Sequence, residues 1–76
     1  MSNDTTLTLA ADTHAKKADF YQQAADRQFA RIESADTERE VAKIDEYWAR
    51  YNAALRLRDY HIHREAKFRG WAALAD

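Results

Sequence analysis

The sequence contains no cysteine and no proline, and its only glycine is Gly70. Without cysteine there are no disulfides or thiolate metal sites to staple a 76-residue chain, whose small core leaves a thin stability margin. The first 69 residues run without either of the two strongest chain punctuators. A many-stranded fold needs several tight turns built from those residues, so their scarcity disfavours sheets and favours long continuous helix. Long apolar runs are missing as well. The longest, Trp71 to Ala75, is far too short to cross a bilayer. The opening residues Met1-Ser2-Asn3-Asp4 are polar, with no basic start followed by an apolar stretch, so no secretory leader and a cytoplasmic location are expected.

What the chain does contain is rich in alanine, glutamate, arginine, lysine, glutamine and leucine, all good helix formers. Its net charge of −1 favours no class of partner. The charge is unevenly placed, however: residues 1–49 hold six Lys/Arg against ten Asp/Glu, and residues 50–76 hold six against three. Cations gathered toward a helix C-terminus account for this through the helix dipole.

Two heptad-like patterns emerge. In the first, Leu7, Ala11, His14, Ala18, Tyr21, Ala25, Gln28 and Ile32 alternate spacings of four and three. In the second, Val41, Ile44, Trp48, Tyr51, Leu55, Arg58 and Ile62 do the same, continuing to Ala66. Each is the stripe of a helix that packs on another helix at a shallow angle. Between them, Thr37 with Glu40 fits a capping box, with Ser34 and Asp36 as competing caps. These signals predict an all-α, two-helix antiparallel hairpin in a single domain, with helix 1 at about 6–33, a turn at 34–37, helix 2 at about 38–69 and a short tail at 70–76. Asp12 is a second place where helix 1 could start, and Gly70 in the left-handed region is the expected end of helix 2.

A single unbroken helix is the rival reading, since nothing at residues 33–38 forbids it sterically. The hairpin is preferred because facing residues then have numbers with a constant sum of 73. Ile32 would meet Val41, Ala25 Trp48, Ala18 Leu55 and Ala11 Ile62, three alanines each against a large side chain, as close packing requires.

Helix 2 carries more apolar surface than one partner helix can cover. Ala53, Leu57, Tyr60, Arg64, Phe68 and Trp71 cluster roughly opposite its main stripe. Exposed apolar patches of this kind mark interaction sites, so Leu57, Tyr60, Arg64, Phe68 and Trp71 are the candidate interface, and a homodimer forming a four-helix bundle is expected. A protein partner seated on the same anchors is the alternative occupant. Arg50, Arg56, Arg64, Lys67 and Arg69, with Arg58, interleave with Tyr51, Tyr60, Phe68 and Trp71, a combination suited to phosphates and unpaired bases. On a helix these cations point to several sides, which weakens the nucleic-acid reading.

Other chemistry has little to build on. His61 and His63 would chelate a metal on a strand but point about 200° apart on a helix, so no metal or other cofactor is expected. His14, placed opposite Arg58, reads as a polar layer that sets register. There is no cysteine nucleophile, glycine-rich phosphate loop or Ser-His-Asp set, and a two-helix rod lacks a substrate cavity, so no enzyme is expected. Phe20, on a polar face with Lys16, Arg27 and Arg31, marks a further contact point. The expected function is that of a small non-enzymatic regulator or adaptor that binds a protein partner, with nucleic-acid binding as the alternative.

Overall fold

A first run of 33 residues forms α1, Ser2–Ser34, and a second run of 35 forms α2, Val41–Ala75. The computed structural model describes the backbone of residues 2–75 and the side chains of residues 5–75. The two helices pack against each other as a hairpin in a rod of 59 × 13 × 11 Å, with no strand among the described residues. The all-helical hairpin expected from composition and periodicity is therefore observed, and the unbroken helix is excluded.

Its boundaries differ from those expected. Helix α1 begins at Ser2, ahead of both the expected start near residue 6 and the alternative at Asp12, because nothing in this polar stretch interrupts helical hydrogen bonding. At the turn, Asp36 Oδ1 accepts hydrogen bonds from the backbone N–H groups of Glu38 (2.9 Å) and Arg39 (3.2 Å). Asp36 therefore caps the turn, in place of the Thr37–Glu40 box, since its short carboxylate reaches two otherwise unpaired amides at once. The chain completes a turn over residues 37–39, and the Glu40 carbonyl then accepts the first bond of α2 from Ile44 at 2.8 Å. Helix α2 consequently starts at Val41 rather than residue 38.

At the far end, α2 passes through Gly70 and runs to Ala75, and no glycine has a positive φ. The expected left-handed cap and tail are thus corrected. One glycine lowers helix propensity without breaking a helix that packing supports, and Trp71 sits edge-on to Phe68 (5.3 Å, 86°) across this turn. A Cβ at position 70 would meet no atom within 4 Å. Gly70→Ala should stabilise the protein by about 0.5–1 kcal/mol, read as a raised melting temperature by circular dichroism.

The α1 stripe is observed as expected. All eight of its residues, Leu7 through Ile32, are buried or half-buried, and Ala11 and Ala25 are fully enclosed. The α2 stripe is corrected. Its inward residues are Ile44, Tyr47, Tyr51, Ala54, Arg58, His61, Glu65, Phe68 and Ala72, again alternating three and four. Of the expected set, Ile44, Tyr51 and Arg58 belong to this seam and Leu55 is half-buried beside it. Val41, Trp48 and Ile62 are 40–56% exposed, and Ala66 is exposed. Half the stripe thus moves back by one residue, which turns α2 by about 50°.

The register moves with it. Gln22 meets Arg58, Phe29 meets Tyr51, Asp12 meets Arg69 and Tyr21 meets His61, pairs whose numbers sum to 80, 80, 81 and 82. His14 with His61 sums to 75 and Arg31 with Tyr47 to 78, so the seam centres near 79 rather than 73. In that register Ala18 lies level with His61, Ala11 with Phe68 and Ala25 with Ala54. Small against large survives for Ala11 and Ala18, whose large partners are rings, while Ala25 faces a second alanine. The reason is a four-ring stack that alternates between the helices: Tyr21 on His61 (5.6 Å, 5°), His61 on His14 (5.0 Å, 29°) and His14 on Phe68 (5.5 Å, 11°). Flat rings fill the narrow gap beside alanines better than branched aliphatics do.

Candidate interaction surfaces

The hairpin has almost no core. Among the described residues, the buried apolar ones are Ala11, Ala18, Ala25, Ala54 and Ala72, and no large side chain is fully enclosed. Ten large apolar residues, by contrast, remain 40–84% exposed. Their positions follow from the heptads. An antiparallel pair has two long faces, each made of the residues flanking the seam on both helices.

On one face lie Phe29, Val41, Trp48, Leu55 and Ile62. The contacts of Phe29 with Trp48 (6.4 Å) and of Asp12 with Arg69 (3.2 Å) join the two helices on this side. Its outer edges carry Asp12, Asp19, Asp26 and Glu33, every seventh residue of α1, and Asp45 and Asp59 of α2. Two arginines here are already engaged by carboxylates. Arg58 is bonded to Asp59 at 2.7 Å and to Gln22 at 2.6 Å, and Arg69 to Glu65 at 2.8 Å and to Asp12. Those two carboxylates hold the Arg69 guanidinium above the usual arginine range, first through the Glu65 hydrogen bond.

The opposite face carries Phe20, Leu57, Tyr60, Trp71 and Leu74 among Lys17, Arg27, Arg31, Lys43, Arg50, Arg64 and Lys67. Its carboxylate, Glu46, is paired with Arg50. Arg31 lies over the Tyr47 ring at 5.9 Å and Arg64 over the Phe68 ring at 5.1 Å, cation–π contacts that hold both guanidinium groups at the margin of the seam. The Nε of Arg64 is shut away from water without a hydrogen-bond acceptor.

Of the residues singled out in sequence, Leu57, Tyr60 and Trp71 are exposed together on this basic face. Phe68 is different: it stacks on His14 inside the hairpin, so it is a seam residue with an exposed margin. Of the cations, Arg50, Arg64 and Lys67 share the basic face, Arg56 points outward between the faces, and Arg58 and Arg69 are tied to the acidic side. The sequence reading missed that Lys17, Arg27 and Arg31 of α1 join them, although Arg27 and Arg31 were noted beside Phe20. The seven-residue spacing of Asp12, Asp19, Asp26 and Glu33 was the signal that would have separated the faces.

At mid-seam, His14 Nδ1 and His61 Nδ1 share a hydrogen bond of 2.8 Å. One nitrogen must donate and the other accept, so the bond survives only while at least one ring is neutral. Burial, then the nearby His14 and Lys17, push the His61 pKa below its ordinary value of 6.5. His63 is exposed while His61 is buried, so the His-x-His pair does not converge. Among the described residues no three metal-ligating side chains come together, and no helix is long and apolar enough to cross a membrane. Compared with protein-family models, with curated proteins and with solved structures, the chain gives no significant match.

Proposed function

We propose that this chain is a non-enzymatic interaction module that associates with itself and serves as a small regulator or adaptor for a protein partner. The observation that carries the reading is the inverted burial: alanines inside, with Trp48, Leu57, Tyr60, Ile62 and Trp71 at the surface. Burying apolar surface contributes about 25 cal/mol per Å², so aromatics left in water are stabilisation that a second copy can supply. Two rods laid side by side make a four-helix bundle, the smallest assembly that covers such faces. A rod only two helices thick has no further layer in which to enclose a substrate, which supports a binding role over catalysis.

Replacing Leu57 and Trp71 together with glutamate should dissociate the assembly, seen as a fall in mass by light scattering, while helicity is retained. An unchanged mass would put the interface elsewhere. Phe68→Glu tests something different: it breaks the stack on His14, so loss of helicity is expected.

A second reading has its own supporting observation. Cations from both helices line one face with Phe20, Tyr60 and Trp71, suiting phosphates and unpaired bases. A labelled single-stranded RNA should then bind with an affinity that falls steeply between 50 and 200 mM salt, the mark of phosphate contacts. Weak, salt-insensitive binding rejects that reading.

A further inference from the structure

From the separation of charge across the two faces we infer that self-association is between unlike faces, the acid-edged face of one copy seating on the basic face of the next. The inference rests on the self-association proposed above and states its geometry. Each face has an apolar strip, Trp48, Leu55 and Ile62 on one and Leu57, Tyr60 and Trp71 on the other. Each strip is bordered mainly by one sign of charge, since Arg58 and Arg69 on the first face and Glu46 on the second are paired with opposite charges beside them. Asp12, Asp19 and Asp26 repeat every seven residues along α1, and Lys43, Arg50 and Arg64 fall on the same seven-residue ladder of α2. Both ladders therefore have rungs about 10.5 Å apart or a multiple of it, so carboxylates of one copy align with cations of another.

A symmetric dimer would place a face against its own copy. Pairing two basic faces brings their cations together, and pairing two acidic faces does the same to carboxylates, each a like-charge arrangement that opposes docking. Unlike faces avoid both penalties and bury the two apolar strips against each other. Such a contact is heterologous: each docking leaves one acidic and one basic face open at the ends. The contact therefore repeats, closing into a ring or continuing as a filament, instead of ending at two copies.

Light scattering and sedimentation on the full chain test this in two ways. For the native protein, the average mass should rise with concentration beyond a dimer and fall as salt is raised from 50 to 500 mM, because the ladders are screened beyond about one Debye length. The second test weakens one face at a time. D19K with D26K cancels most of the negative charge of the acid-edged face, and R27E with K67E reduces the positive charge of the basic face; all four positions are exposed. Each double variant alone should associate about tenfold more weakly than the native chain or worse, with circular dichroism confirming that it stays helical. Mixed in equal amounts, the two should associate more tightly than either alone and stop at a mixed pair, because the intact basic face of one meets the intact acidic face of the other while the two altered faces do not match. If one double variant still forms a dimer as tight as the native protein, or if the native mass stops at two and ignores salt, the contact is between like faces and the inference is overturned while self-association stands. A native protein that stays monomeric at millimolar concentration overturns both.

Discussion

Ala25→Leu should lower the melting temperature by roughly 5–20 °C, whereas Ala30→Leu, one turn away in the same helix, should leave it nearly unchanged. Ala25 is fully enclosed and lies level with Ala54, which is 7% exposed, so the backbones are closest where both side chains are smallest. Three further carbons have nowhere to go without pushing the helices apart. Overpacking of this kind costs about 1–3 kcal/mol, and in a domain of this size each kilocalorie moves the midpoint by about 4–8 °C. Ala30 is exposed, and surface substitutions stay within about 0.5 kcal/mol. Ala25→Glu is harsher, since it adds an unpaired charge in the same space, and loss of the helical signal at 25 °C is expected. Equal effects at positions 25 and 30 would mean that the seam is not where the burial pattern puts it.

Acid should open the hairpin at its middle. The His61 pKa is lowered in the folded protein, first by burial and then by His14 and Lys17, so its neutral form is the one the fold favours. A group with a depressed folded pKa contributes stability above its unfolded value of about 6.5 and loses it as pH falls through the folded value. Both neighbours that act on it are cationic when charged, and protonation of both rings destroys the 2.8 Å bond between them. Because the two histidines occupy the centre of the four-ring stack, charging them unsettles the contacts of Tyr21 and Phe68 as well. Thermal melts should therefore show a lower midpoint at pH 5 than at pH 7.5. His61→Phe keeps a flat ring in the stack and removes the proton site, so most of that pH dependence should vanish. A midpoint that is constant from pH 7.5 to 5 would show that the pair is solvated and carries no strain on protonation.

The stripe of α1 was legible in the sequence because that helix offers a single continuous row of apolar and aromatic residues at heptad spacing. On α2 the same reasoning offered two rows, one with Trp48 and Ile62 and one with Leu57 and Trp71, and the constant sum of 73 favoured the first. The structure buries a third, whose members include Tyr47, Arg58, His61 and Glu65, because the ring stack and the Arg58–Gln22 bond depend on what α1 presents opposite them. That information lies 36 to 54 residues away in the chain. The candidate interface was partly legible: Leu57, Tyr60 and Trp71 stand exposed together, while Phe68 turned inward to His14. The segregation of charge was not seen, because it requires knowing which side of α1 faces the same way as which side of α2.

The sequence by itself determined that this protein is helical, that it folds back once near residue 36, and which face of α1 turns inward. Helicity follows from backbone propensity and the scarcity of glycine and proline, the inward face of α1 from its single heptad row, and the fold-back from the preference for pairing two stripes over leaving both in water. Only the tertiary structure decided the rotation of α2, the register of the seam and the identity of the two outer faces. The row of α2 that is buried is less apolar than the one left at the surface, and the choice between them rests on how closely rings stack against alanines, an interaction that exists only once both helices are in place.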